Sequence, residues 1–74
     1  MSTDPKPMNN LGHGIIEIRQ RDHNGAFRLV YVARFAKRIY VLYTFPKKTQ
    51  KTSLQDLNII KKRYQALLEI ENER

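Results

Sequence analysis

Residues 15–21 read IIEIRQR, with Ile16 and Ile18 alternating against Glu17 and Arg19, and residues 26–33 read AFRLVYVA. Alternation of period two marks a strand, and β-branched and aromatic enrichment marks the second run as another. DHNG lies between them, and Asn-Gly is the strongest short hairpin signal. A one-residue slip would turn every side chain to the opposite side, so this hairpin fixes which residues share a face. A two-residue Asn24-Gly25 turn sets Arg21 opposite Arg28, Arg19 opposite Val30 and Ile18 opposite Tyr31. A four-residue DHNG loop moves the pairing by one rung on each strand and keeps the same faces. Glu17, Arg19, Arg21, Arg28, Val30 and Val32 then share one face, and Ile16, Ile18, Phe27, Leu29 and Tyr31 the other.

A third strand, RIYVLYTF at 38–45, ends at Pro46, which cannot donate to a ladder. With RFAK as a four-residue connection, Ala33 pairs with Arg38 and Arg28 with Tyr43. Ile39, Val41, Tyr43 and Phe45 then join the arginine face, and Tyr40 and Leu42 the apolar one. A helix is expected over 53–70. Thr52 and Gln55 fit a capping box, and Leu54, Leu57, Ile60, Tyr64, Leu67 and Leu68 recur at helical spacing. Glu69, Glu71 and Glu73 oppose the helix dipole, so fraying is expected after about Ile70. The reading is α+β: a three-stranded antiparallel sheet (15–21, 26–33, 38–45) with the helix laid over Ile16, Ile18, Phe27, Leu29, Tyr31 and Leu42. Pro5, Pro7, Asn9, Asn10, Gly12 and Gly14 make residues 1–14 a flexible arm before a single domain at 15–74.

The 74 residues contain no cysteine, which excludes disulfides and thiolate zinc sites. A chain this short buries roughly 60% of its unfolded surface, so its stability margin is thin. The longest wholly apolar run, LVYVA, is five residues, and the N-terminus has no signal-peptide core, so the chain reads as soluble and cytoplasmic. The formal net charge of +7 is uneven: residues 1–51 hold ten Lys/Arg against three Asp/Glu, and residues 52–74 hold four of each. A basic surface attracts polyanions, of which nucleic acid is the commonest.

The charge peaks in PKKTQKT, between the last strand and the helix. Lys47, Lys48 and Lys51 extend the cluster of Arg19, Arg21 and Arg28, with Tyr43 beside it, and they precede a helix N-terminus that favours anions. Arginines opposed on a bare sheet repel, which makes sense where an anion sits between them. The plainer alternative is a solvated basic face without a ligand. His13 and His23 fall in loops and read as solvated.

Three blocks in order, LGHGIIEIR, GAFRLVYV and YVLYTFPKKTQKT followed by a helix, resemble the RelE-like toxins over Leu11 to about Leu68. The likeness is greatest to the HigB branch and its phage-derived toxin-like allies. The resemblance implies a type II toxin–antitoxin toxin, an mRNA interferase (endoribonuclease) cutting RNA on the ribosome without metal or cofactor. Arg19, Arg28, Lys47 and Lys48 would then be catalytic through charge stabilisation, with Arg21, Tyr43 and Lys51 binding RNA. The implied partners are mRNA, the ribosome and a helix-turn-helix antitoxin. Relatives usually carry one or two helices before the first strand, so the resemblance leaves two readings open, an N-terminally shortened chain or a degenerate protein, with the bared apolar surface hidden by self-association or by the antitoxin. Relatives also place a Tyr or His after the last strand, and this chain has neither between Phe45 and Lys62. A non-catalytic nucleic-acid- or antitoxin-binding relative therefore stays open beside the enzyme.

Overall fold

The computed structural model describes residues 4–73. The chain runs β1 (Lys6–Pro7), β2 (Ile15–Asp22), β3 (Gly25–Phe35), β4 (Arg38–Pro46) and α1 (Leu54–Asn72). The four strands form one antiparallel sheet in the order β1-β2-β3-β4. The α+β class, the antiparallel sheet and the C-terminal helix are as expected, but there are four strands, not three. The extra one comes from the stretch read as an arm: Lys6 pairs with Glu17 and Pro7 with Ile16. The Met8 N–H then donates to the Ile15 carbonyl at 2.8 Å, and Met8 and Leu11 pack on the core. Residues 1–3 of the arm lie outside the described residues.

The hairpin closes one step earlier than Asn-Gly suggests. Asp22 pairs with Gly25, so His23 and Asn24 form the turn. The Asp22 carboxylate accepts from the Asn24 N–H at 2.8 Å, and Gly25 follows with φ +118°. An aspartate that bonds its own backbone two residues on outcompetes the Asn-Gly turn. Arg19 consequently stands opposite Arg28 and Arg21 opposite Ala26, which is the register of the four-residue loop alternative.

The face that α1 covers is the opposite of the one expected. The buried core is Ile15, Val30, Val32, Leu42, Phe45, Ile60, Tyr64 and Leu67, so α1 lies on the side of Glu17 and Arg28, both also buried. Ile16, Ile18, Phe27, Leu29 and Tyr31 face away from α1 and are only half-buried. Charged residues are rarely inside unless paired, and the pairing of Glu17 with Arg28 allows it here.

A β-bulge accounts for the rest. Val30 pairs with Tyr43 but Tyr31 pairs with Val41, leaving Leu42 without an opposite residue. The extra residue flips the alternation partway along β4. Tyr43 and Phe45 share the face of Glu17 and Arg28 as expected, though that face is the one under α1 and not the open one. Tyr40 and Leu42 join them there, whereas Ile39 and Val41 turn outward, 69% and 61% exposed. The Leu42 carbonyl accepts from the Arg63 guanidinium of α1 at 2.8 Å. A second irregularity between Val32 and Phe35 lets β3 run on to pair Phe35 with Arg38, so the connection is Ala36-Lys37 alone.

Ser53, not Thr52, caps α1: its hydroxyl accepts from the Asp56 N–H at 3.1 Å and donates to the Asp56 carboxylate at 2.9 Å. Leu54, the first residue of α1 and expected in the buried stripe, is 71% exposed. The helix continues past Ile70 because Glu71 binds across to β4, accepting from Tyr40 and from Arg38. Tyr64 ties the N-terminal segment to α1: its hydroxyl donates to the His13 carbonyl at 2.8 Å and accepts from Arg34 at 3.0 Å. Gly12 lies against the Tyr64 ring so closely that a Cβ would collide with it. No helix among the described residues is long and apolar enough to cross a membrane.

Leu67→Ala should cost about 2–5 kcal/mol, because it opens a hole between α1 and the sheet. Leu54→Ala should stay within about 0.5 kcal/mol. Urea unfolding of the two variants against the parent checks both; equal losses would contradict the assigned stripe.

Candidate nucleic-acid interface

The stretch 47–53 leaves β4, crosses the end of the sheet and enters α1. What holds it is a charge network beneath. Arg28 donates to the Glu17 carboxylate at 2.6 Å, and both side chains are about 95% buried. The second guanidinium nitrogen of Arg28 donates to the Thr49 carbonyl at 3.0 Å and the Gln50 carbonyl at 2.6 Å. The other Glu17 oxygen accepts from the Thr52 hydroxyl at 2.8 Å. Arginine suits this position because its planar fork serves a carboxylate and two carbonyls at once. Among the described residues no buried side-chain nitrogen or oxygen lacks a partner.

Above the network is a cleft of about 380 Å³ between β4, the lysine-bearing loop and the first turn of α1. Arg28, Tyr43, Phe45, Lys48, Lys51, Ser53 and Asp56 are among the residues lining it. Four of the seven residues singled out from sequence therefore converge: Arg28, Tyr43, Lys48 and Lys51. They differ in kind, because Lys48 and Lys51 are exposed while Arg28 is 4% exposed. The guanidinium expected to meet phosphate is turned to Glu17 and the loop carbonyls. Arg19 and Arg21 are exposed on the same side of the sheet, as expected, but neither lines the cleft. Lys47 also lies outside its lining, and its N–H is bonded to the Ala26 carbonyl at 3.0 Å. The basic surface is thus on the helix-covered side of the sheet, at its end, and not on an open sheet face.

Tyr43 is held on all sides. Its ring stacks on Phe45 at 4.6 Å between centroids, and the Arg63 guanidinium lies 4.9 Å from the ring centre. Its hydroxyl donates to the Asp56 carboxylate at 3.0 Å. That bond raises the phenol above its ordinary pKa; desolvation and the Asp56 charge add to the rise, and Arg63 opposes it. Glu17, Thr52, Ser53 and Asp56 were not singled out from sequence as site residues. Glu17 had one usable signal, an acid in a strand position otherwise flanked by isoleucines. Asp56 follows Ser53 by three residues, which is itself a capping pattern.

The arrangement defines a small α+β protein with a lysine-rimmed cleft where its last strand hands over to its helix. A family model described as phage derived protein Gp49-like (DUF891) matches residues 2–65, and the chain belongs to that family. No curated protein and no solved structure matched the chain.

Arg28→Ala should cost roughly 3–5 kcal/mol, because it strands the buried Glu17 carboxylate. Lys48→Ala should leave the unfolding midpoint almost unchanged. Comparable losses in denaturant titrations would mean that Lys48 is also structural. For Tyr43, whose pKa is raised, the hydrogen bond to Asp56 stabilises the fold while the phenol is protonated. That contribution is complete below about pH 10 and is lost as pH rises through the folded-state value. Tyr43→Phe should therefore flatten the alkaline fall of stability, measured as unfolding midpoint against pH.

Proposed function

We propose that this chain is a toxin of a type II toxin–antitoxin pair, of the RelE-like group and its HigB branch, and that it cleaves mRNA on the ribosome in the cytoplasm. The observation that carries the reading is the convergence of Lys48 and Lys51 on one cleft with the Tyr43 hydroxyl and the Asp56 carboxylate. The order of sequence blocks and the membership of the phage-derived family support it from a separate direction.

RNA phosphate enters the cleft against the two ammonium groups. A ribose 2′-hydroxyl gives up its proton and attacks the adjacent phosphorus. The P–O5′ bond breaks to leave a 2′,3′-cyclic phosphate and a 5′-oxygen that takes up a proton. Cations already in place stabilise the negative charge that builds on the way without reorganising. Lys47, Arg19 and Arg21 provide the surrounding positive surface along which the strand approaches. Arg28 acts beneath, by holding the loop. Tyr43 and Asp56 supply the hydroxyl and carboxylate of the cleft lining, and they serve the proton transfers. The cognate antitoxin, of helix-turn-helix type, covers apolar surface that the sheet leaves bare, Ile39 and Val41 included.

A second reading, a non-catalytic relative that keeps the RNA-binding surface, is favoured by one observation. Neither histidine lines the cleft, and the Tyr43 hydroxyl is already committed to Asp56. Induced expression separates the two. A cleaving toxin arrests growth and leaves mapped cuts in mRNA, and Lys48→Ala/Lys51→Ala relieves both effects. A binding relative leaves growth unaffected but still retards RNA. For either, the double variant should lower the slope of log affinity against log salt by about 1.4, from roughly 0.7 per phosphate contact on a single strand. An unchanged slope would remove the two lysines from the interface.

A further inference from the structure

Glu17 is an acid placed directly beneath a surface read as binding a polyanion. Simple electrostatics makes it a liability there: removing its charge would raise the net charge from +7 to +8 and favour RNA. Its contacts point the other way. One carboxylate oxygen takes Arg28 and the other takes Thr52, the residue just past Lys51. Arg28 in turn holds the carbonyls of Thr49 and Gln50, the two residues between Lys48 and Lys51. Every backbone attachment of the lysine-bearing turn to this network therefore passes through one buried ion pair. An uncharged residue at 17 would leave the Arg28 cation without its counterion, in a site 4% exposed. The guanidinium would then gain by swinging out to solvent, and the turn would be released with it.

We infer that Glu17 is the positioning residue of the cleft: through Arg28 and Thr52 it fixes the turn so that Lys48 and Lys51 grip neighbouring phosphates together. This deepens the RNA-phosphate reading given above and rests on it. Arg28 is likewise a positioning residue and not a phosphate ligand. The sign of the effect is the distinctive point. Deleting a negative charge weakens binding to a polyanion, because geometry lost at two cations outweighs the repulsion removed.

The test uses the full chain and a single-stranded oligoribonucleotide, with affinity followed from low to high salt. Glu17→Gln keeps the size and loses the charge, and Thr52→Val breaks the second contact without altering charge. Both should bind roughly tenfold or more weakly than the parent. Their salt slopes should fall toward that of Lys48→Ala/Lys51→Ala, a drop of about 1.4 when both contacts are lost. Adding Glu17→Gln to the double lysine variant should change nothing further. Mere partial unfolding would lower apparent affinity at unchanged slope, so the slope separates loop release from loss of fold. Should Glu17→Gln fail to fold, Thr52→Val and its slope decide alone. Folded Glu17→Gln that binds as tightly as the parent or more so, at the parent's slope, overturns the inference while leaving the RNA reading intact. A parent chain that does not bind RNA at all overturns that reading first.

Discussion

The ion pair between Glu17 and Arg28 is the interaction on which the rest of the structure depends. Burying two charges costs several kcal/mol each, and their attraction offsets this only when the remaining polar atoms are satisfied. Here they are: the carboxylate takes a second bond from Thr52, and the guanidinium takes two carbonyls from the loop. The pair thereby does two things at once. It makes the polar side of the β2–β3 hairpin fit to be covered by α1, and it attaches the segment entering α1 to the sheet. Removing one partner would affect both the core and the loop above it.

The side chosen by α1 follows from this pair together with the bulge at Leu42. Ile15, Val30 and Val32 supply the fully buried floor, and the bulge adds Leu42 and Tyr40 to the side where Tyr43 and Phe45 already stand. Arg63 seals the interruption by bonding the Leu42 carbonyl while lying over the Tyr43 ring. One helical side chain thus compensates the ladder defect and holds a residue of the cleft.

Much of the framework was legible in the sequence: the three long strands, the helix, the break at Pro46 and the shared parity of Arg19, Arg21 and Arg28. The side covered by α1 was not. Alternation shows which residues share a face, and counting apolar residues then favours the side of Ile16, Ile18 and Leu29. That count misses a charge pair one strand apart, because Glu17 and Arg28 lie eleven residues apart and meet only once the register is known. The bulge was equally hidden, since RIYVLYTF alternates no differently with or without it. β1 was hidden too, because Lys6–Pro7 is too short to carry a period. Of the site, the lysines and Tyr43 were visible as composition, whereas Asp56 and Thr52 acquire their place only from the path of the chain into α1.

The core has a bearing on when the cleft can exist. Of its eight buried hydrophobic members, Ile60, Tyr64 and Leu67 come from α1, and the Tyr64 hydroxyl reaches back 51 residues to His13. The sheet alone would leave Glu17, Arg28 and the valines beside them uncovered in water. A chain in which α1 has not yet docked lacks both that lid and the α1 wall of the cleft, so the cleft exists only once helix and sheet have come together.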